Sequence, residues 1–181
     1  MSDKKPKLLL HVCCAPDATV AAERLASSYD VTLYFENSNI DTGEEFARRI
    51  ADLPVVAKKL DAEILEADYD PGAWALAVQG LEDEPEGGAR CIACFRFRLE
   101  RTAAAAAREG FDSFATTLTV SPHKDAVAIN LIGSEAAAGA SYVESDFKKK
   151  DGFKRSVEMS KELGLYRQNY CGCKYSRMNY E

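Results

Sequence analysis

Apolar positions along this chain fall into short blocks of two periods. Lys7 to Cys13 (KLLLHVC) is an almost unbroken apolar run, the pattern of a strand buried on both faces, and Asp17 to Ser28 (DATVAAERLASS) places its apolar residues at helical spacing. Together they predict a strand, a sharp turn and a helix. Val31 to Glu36 predicts a second strand, ending in the polar turn Asn37-Ser38-Asn39. Gly43 to Leu60 has helical spacing interrupted at Pro54, which should kink or split it. Ala62 to Ala67 reads as a short third strand and Asp70 to Gln79, around Trp74, as a helix, followed by an acidic loop rich in Gly and Pro from Gly80 to Gly88. The alanine-rich segment Arg90 to Glu109 predicts a long helix carrying Cys91 and Cys94 in its first turn. Ser113 to Thr119 predicts a fourth strand, Lys124 to Ala138 a helix, and Ser141 to Glu144 a fifth strand. Lys148 to Arg155 reads as a basic loop, Val157 to Leu163 as a short helix, and Tyr166 to Arg177 shows no period. Strands alternating with helices predict an α/β fold: a doubly wound parallel sheet of about five strands with helices on both faces. With no repeat, low-complexity tract or linker, 1–181 reads as a single domain with a metal-binding C-terminal tail.

Composition narrows the class. The chain has 181 residues, 46% hydrophobic and 29% charged, enough for one buried core. No apolar run is long enough for a bilayer and the N-terminus does not read as a signal peptide, so a cytoplasmic protein without membrane association is expected. The formal charge of -6 argues against coating nucleic acid through bulk charge and leaves a local basic patch open. Six cysteines without an export signal do not read as a disulfide framework. All six fall in tight pairs: Cys13 with Cys14, Cys91 with Cys94, and Cys171 with Cys173.

That pairing points to metal. Cys91 and Cys94 are three apart at a helix start, where both sulfurs face the same way and the helix favours thiolate. Adjacent cysteines tend to diverge, so Cys13 and Cys14 could serve two neighbouring centres. A cubane iron-sulfur cluster and a closed zinc site each want four thiolates, and six exceed four. Asp17, four residues after Cys13, could complete an open site of two sulfurs and one oxygen, where a substrate can bind. Ligands in such a sheet collect at the carboxyl ends of the strands, where Cys13 and Cys14 lie. On spacing alone, Cys14, Cys91, Cys94 and Cys171 are assigned to a cluster and Cys13, Asp17 and Cys173 to a second, catalytic metal. Which member of each of the CC and C-x-C pairs goes to which centre stays open. A structural zinc site made from four of the cysteines is the other reading.

With these residues in view the chain resembles the QueH family of epoxyqueuosine reductases, the cobalamin-independent type. The likeness is carried by LLLHVCCAPD, YFENSNI with EEFARR, DYDPGAW, GLEDEPEGGARCIACFRFRLERTA, FATTLTVSPHK, DFKKKDGFKRS and LYRQNYCGCKYS, spread over nearly the whole chain. The resemblance implies a Rossmann-like, HUP-related fold, a 4Fe-4S cluster with one mononuclear iron, and a tRNA substrate carrying epoxyqueuosine in its anticodon loop. It also implies an electron donor, whose identity is open. ATP pyrophosphatase chemistry is disfavoured, because the turn Cys13-Cys14-Ala15-Pro16-Asp17 lacks the glycines of a phosphate loop. An RNA-binding module with structural zinc and a small iron-sulfur electron carrier remain as alternatives.

For substrate contact the candidates are Arg90, His123, Lys124, Lys148, Lys149, Lys150 and Tyr170. Arg90 could support thiolate charge or hold an RNA phosphate, and the Lys148 to Lys150 run, continued by Lys154 and Arg155, is the best candidate for the tRNA backbone. Arg96 and Arg98 read as a solvated helix face and His11 as a core histidine. Of Tyr69, Trp74, Tyr166 and Tyr170, one or two could stack on an anticodon base.

Overall fold

The structure, a computed structural model, describes residues 4–178. Five strands, β1 (Lys7–His11), β2 (Asp30–Tyr34), β3 (Glu63–Leu65), β4 (Ser113–Thr116) and β5 (Ser141–Tyr142), form one sheet of order β3-β2-β1-β4-β5, with every pairing parallel. The helices are α1 (Ala15–Leu25), α2 (Gly43–Ile50), α3 (Leu53–Leu60), α4 (Pro71–Ala77), α5 (Ala89–Arg108), α6 (Ala126–Ala136), α7 (Gly152–Leu163) and α8 (Lys174–Met178). The expected doubly wound α/β sheet is therefore present.

Alternation along β1 divides the core between the two faces. Leu8, Leu10 and Val12 pack with α1, α3 and neighbouring residues of β2, while Leu9 joins Ala103, Ala106 and Phe114 beneath α5. Each of these leucines is fully buried, and each contributes about 1.5–3 kcal/mol of apolar burial. His11, on the α5 side, is buried too, with Nδ1 2.7 Å from Thr116 Oγ1 and Nε2 3.0 Å from the Glu36 carbonyl.

Pro54 splits the predicted helix as expected: α2 ends at Ile50 and α3 begins at Leu53, so the proline sits in a first turn, where its missing N–H costs nothing. Three local expectations are corrected. The fourth strand stops at Thr116, whose hydroxyl accepts from Leu118 N at 3.1 Å and winds Thr117–Val120 into a 3-10 turn. The basic stretch is not all loop, because Lys154 and Arg155 belong to α7. Ahead of it, Lys150 and Asp151 turn left-handed (φ 52° and 57°), and Arg24 of α1 donates to the carbonyls of Phe147, Lys149 and Lys150. A Cβ on Gly152 would overlap the Phe147 carbonyl, which makes glycine necessary there. In the aperiodic tail, α8 begins directly after Cys173, whose sulfur accepts from Ser176 N at 3.4 Å.

Candidate metal centre

The carboxyl ends of β1 and β4 lie side by side at the sheet centre, where the chain order reverses and a crevice opens. Cys13 occupies the bend after β1, and Cys14 is the extended N-cap of α1 (φ -162°, ψ 156°). The 3-10 turn after β4 buttresses the bend: Cys13 N donates to Thr117 Oγ1 at 2.9 Å, and that hydroxyl lies 3.1 Å from Cys13 Sγ. Asp17, in the first turn of α1, brings Oδ2 to 3.4 Å from Cys13 Sγ, and the two sulfurs are 4.0 Å apart. The donor atoms of Cys13, Cys14 and Asp17 all lie within 4.8 Å of one another. Burial, with the Cys13 charge second, pushes the Asp17 carboxyl up to about 8. The hydrogen bond between the thiols holds Cys13 down and Cys14 up.

A second thiol group gathers where the start of α5 meets the tail. Cys94 and Cys173 pack with Trp74 and Val78, and Gly87 N donates to Cys91 Sγ at 3.2 Å. Burial pushes the Cys94 thiol up to about 12, and negative charge on Cys171 acts in the same direction on Cys91, Cys94 and Cys173. All four residues line a cavity of about 260 Å³ together with Asn39, Trp74 and Arg90. Among the described residues, the buried Arg90 Nε and Asn39 Oδ1 of that lining have no hydrogen-bond partner, and the Trp74 side chain acts to lower the Cys94 thiol. An orphan guanidinium N–H and an indole beside four thiols suit an anionic, sulfur-bearing group.

The two sets adjoin. A larger cleft of about 480 Å³ is lined by Cys13, Cys14, Asp17 and Cys171, with His123, Lys124, Arg98 and Arg167 among its walls. Cys171, His123 and Lys124 border both spaces. Burial acts to lower the Lys124 ammonium, but the charges of Cys171, Cys13 and Asp17 outweigh it and hold the group up.

This grouping differs from the division assigned on spacing. Cys14 stands with Cys13 and Asp17, because the bend at Cys13 brings the adjacent sulfurs together instead of letting them diverge. Cys173 stands with Cys94, because Gly172 (φ 129°) turns the tail under α4 and α5. Arg90 is buried, and its Nη1 donates to the carbonyls of Leu81, Glu82 and Glu84, so it organises the acidic loop and does not face an RNA phosphate. Arg98 is 2% exposed, not solvated, whereas Arg96 is on the surface with Glu135. Lys148 and Lys149 both pair with Asp146, and Lys150 borders a separate shallow depression beside Glu23 and Arg155. His123 is exposed at the cleft rim and Tyr170 lines it, with the Arg49 guanidinium 4.9 Å from its ring centroid. Tyr69 and Tyr166 are engaged elsewhere, with the Ile40 carbonyl and Glu45. Trp74 is buried against the thiols.

Sequence reading missed two residues here. Gln168 lines the cleft, and its side chain acts to lower the Cys14 thiol. Arg49, 2% exposed, donates to the carbonyls of Cys171 (2.9 Å) and Tyr170 (3.4 Å) and pairs with Glu45 at 2.6 Å. Arg98 could have been found, since it continues the stripe of Cys91 and Cys94 on one helix face. Nothing local marks Arg49 or Gln168.

The U34-tRNA thiolase NcsA from Methanococcus maripaludis, solved with its [4Fe-4S] cluster, superposes with a TM-score of 0.56 at 14% identity, over 97% of this chain and 63% of that one, a likeness of fold. The epoxyqueuosine reductase QueH of Streptococcus pyogenes serotype M1 is 46% identical over 180 residues, 95% of this chain and 71% of that protein. The Staphylococcus epidermidis protein of the same name is 39% identical over 97% of this chain and 78% of its own length. The profile of the family described as Epoxyqueuosine reductase QueH matches residues 8–179, a span that takes in all six cysteines and Asp17. The chain belongs to the QueH family of epoxyqueuosine reductases.

Proposed function

We propose that this chain reduces epoxyqueuosine to queuosine at the wobble position of a tRNA anticodon. Loss of the epoxide oxygen leaves a cyclopentene, consumes two electrons and two protons, and releases water. The observation that carries this reading is the pair of adjoining thiol sites, one a four-cysteine cavity and the other a cysteine-cysteine-aspartate group open to the cleft. On this reading Cys91, Cys94, Cys171 and Cys173 hold a 4Fe-4S cluster, and Cys13, Cys14 and Asp17 hold one mononuclear iron. When bound, the cluster supplies single electrons and the iron supplies Lewis acidity. Asp17 surrenders its proton on taking a cation, which reverses the effect of burial on its carboxyl. Thr117 fixes the Cys13 backbone and sulfur, Gln168 steadies Cys14, and Lys124 presents a cation where the two sites meet. His123, Lys124, Arg167 and Tyr170 line the cleft that takes the modified nucleoside.

The test is anaerobic reconstitution with iron and sulfide, followed by metal analysis, visible and paramagnetic resonance spectra, and conversion of epoxyqueuosine-containing tRNA with dithionite as electron source. Asp17→Ala should lose the second iron and turnover while keeping the cluster spectrum. Zinc with tRNA binding but no turnover would replace the reading with a structural module. A cluster without tRNA affinity would replace it with an electron carrier.

A further inference from the structure

Among the described residues, the buried Arg98 guanidinium has no carboxylate partner. It is 2% exposed and ranks among the largest fully buried side chains. Its Nε donates to the Glu36 carbonyl at 3.3 Å and its Nη2 to Asn37 Oδ1 at 2.5 Å, both neutral acceptors. The acid nearest in sequence to these acceptors, the Glu36 carboxylate, is occupied by Arg101 at 3.0 Å and Ser38 N at 3.2 Å. Among the described residues no ion pair includes Arg98, and its Nη1 has no protein partner while the residue lines the cleft beside Cys13 and Asp17. An unpaired cation in a protein interior is costly unless something negative faces it.

Position indicates what that is. Cys91, Cys94 and Arg98 follow one another along a single face of α5, and Arg98 borders the cleft that also holds Cys13, Cys14, Asp17 and Cys171, so its charge is carried on the helix face of one thiol group and lines the space of the other. Four thiolates around a cubane make a net anion that becomes more negative on reduction. We infer that Arg98 is a positioning residue whose charge is the built-in counter-ion of the two metal sites, favouring the reduced form of the cluster. The inference rests on the iron-sulfur reading given above.

Arg98→Gln removes the charge and keeps a hydrogen-bonding group, whereas Arg98→Lys keeps the charge and loses the planar fork. Each variant and the wild type would be melted as apoprotein, then reconstituted anaerobically and titrated with dithionite under paramagnetic resonance. The expected result is an Arg98→Gln apoprotein that folds and melts no lower than the wild type. Once loaded, it should hold at least tenfold less reduced cluster at a given potential, about 59 mV for a one-electron couple. Arg98→Lys should stay within a few-fold of the wild type. An unchanged midpoint in Arg98→Gln would overturn the inference, and so would apoproteins of both variants that fail to fold, which would show that the side chain serves the polypeptide. A wild-type protein that takes up no cluster in the same preparation would instead remove the iron-sulfur reading itself, and this inference with it.

Discussion

His11 shows how one residue couples the sheet to solvent conditions. Burial first, and the Arg98 charge second, hold its imidazole well below its ordinary value, so it is neutral in the folded protein. In the unfolded chain it takes a proton near pH 6.5. Its contribution is therefore full above about pH 6.5 and is lost as pH falls below that, by at most about 1.4 kcal/mol per unit. Asp17 has the opposite sign, because its carboxyl is raised to about 8: its contribution is full below about pH 3.9, where the unfolded chain is also protonated, and is lost as pH rises from there to about 8. Comparing apoprotein unfolding of wild type and His11→Phe at pH 7.5 and 5.5 isolates the histidine, and the variant should lose less stability on acidification. That the cysteines gather at one end of the sheet was legible because all six fall in tight pairs. Their division was not, since it depends on the bend at Cys13, and Arg98 was obscured because an arginine in a helix ordinarily reads as solvated.

Helices and strands were legible wherever their own periodicity placed them, and illegible where a distant element does the placing. The tail is the clearest case. It has no period, and α2 fixes it through Arg49, with the Asp41 N–H donating to the Gly172 carbonyl at 2.9 Å. Arg49→Ala would leave the half-buried Glu45 with only the Tyr166 hydroxyl, at a cost below the ~3–5 kcal/mol of a fully buried broken pair. The expected outcome is a folded sheet by circular dichroism, early proteolysis within 166–178, and loss of cluster iron; resistance equal to wild type would show the tail to be held otherwise. A second junction joins α6 to β5. Tyr142 donates to Asn130 Oδ1 at 2.9 Å, Asn130 donates to the Ser145 carbonyl at 2.9 Å, and a Cβ on Gly133 would overlap the Tyr142 ring. Gly133→Ala should therefore lower stability by about 1–3 kcal/mol despite the better helix propensity of alanine. The loss should shrink in a Tyr142→Leu background, measured by denaturant unfolding.

Across the whole molecule, net charge and site charge have opposite signs: the chain is -6 overall, yet Lys124, Arg98 and Arg167 line the cleft. RNA affinity should then be local and strongly salt-dependent. Replacing Lys148, Lys149 and Lys150 together by Gln should flatten the log-log salt dependence of tRNA binding by about 0.7–0.9 for each phosphate that is no longer neutralised. Because Lys148 and Lys149 share Asp146, the change in slope should fall short of the value for three phosphates. An unchanged slope would mark the segment as the turn that Arg24 closes and nothing more. The tail pinned beneath α5 has a consequence for the order of synthesis. On the proposed ligand set, the cluster cavity draws two thiols from the start of α5 and two from 171–173, so a nascent chain that has exposed α5 but not Cys173 presents only half a site. Metal loading then belongs after translation of the tail, and ribosome-bound chains stalled ahead of residue 171 should retain no cluster iron, however well their sheet has formed.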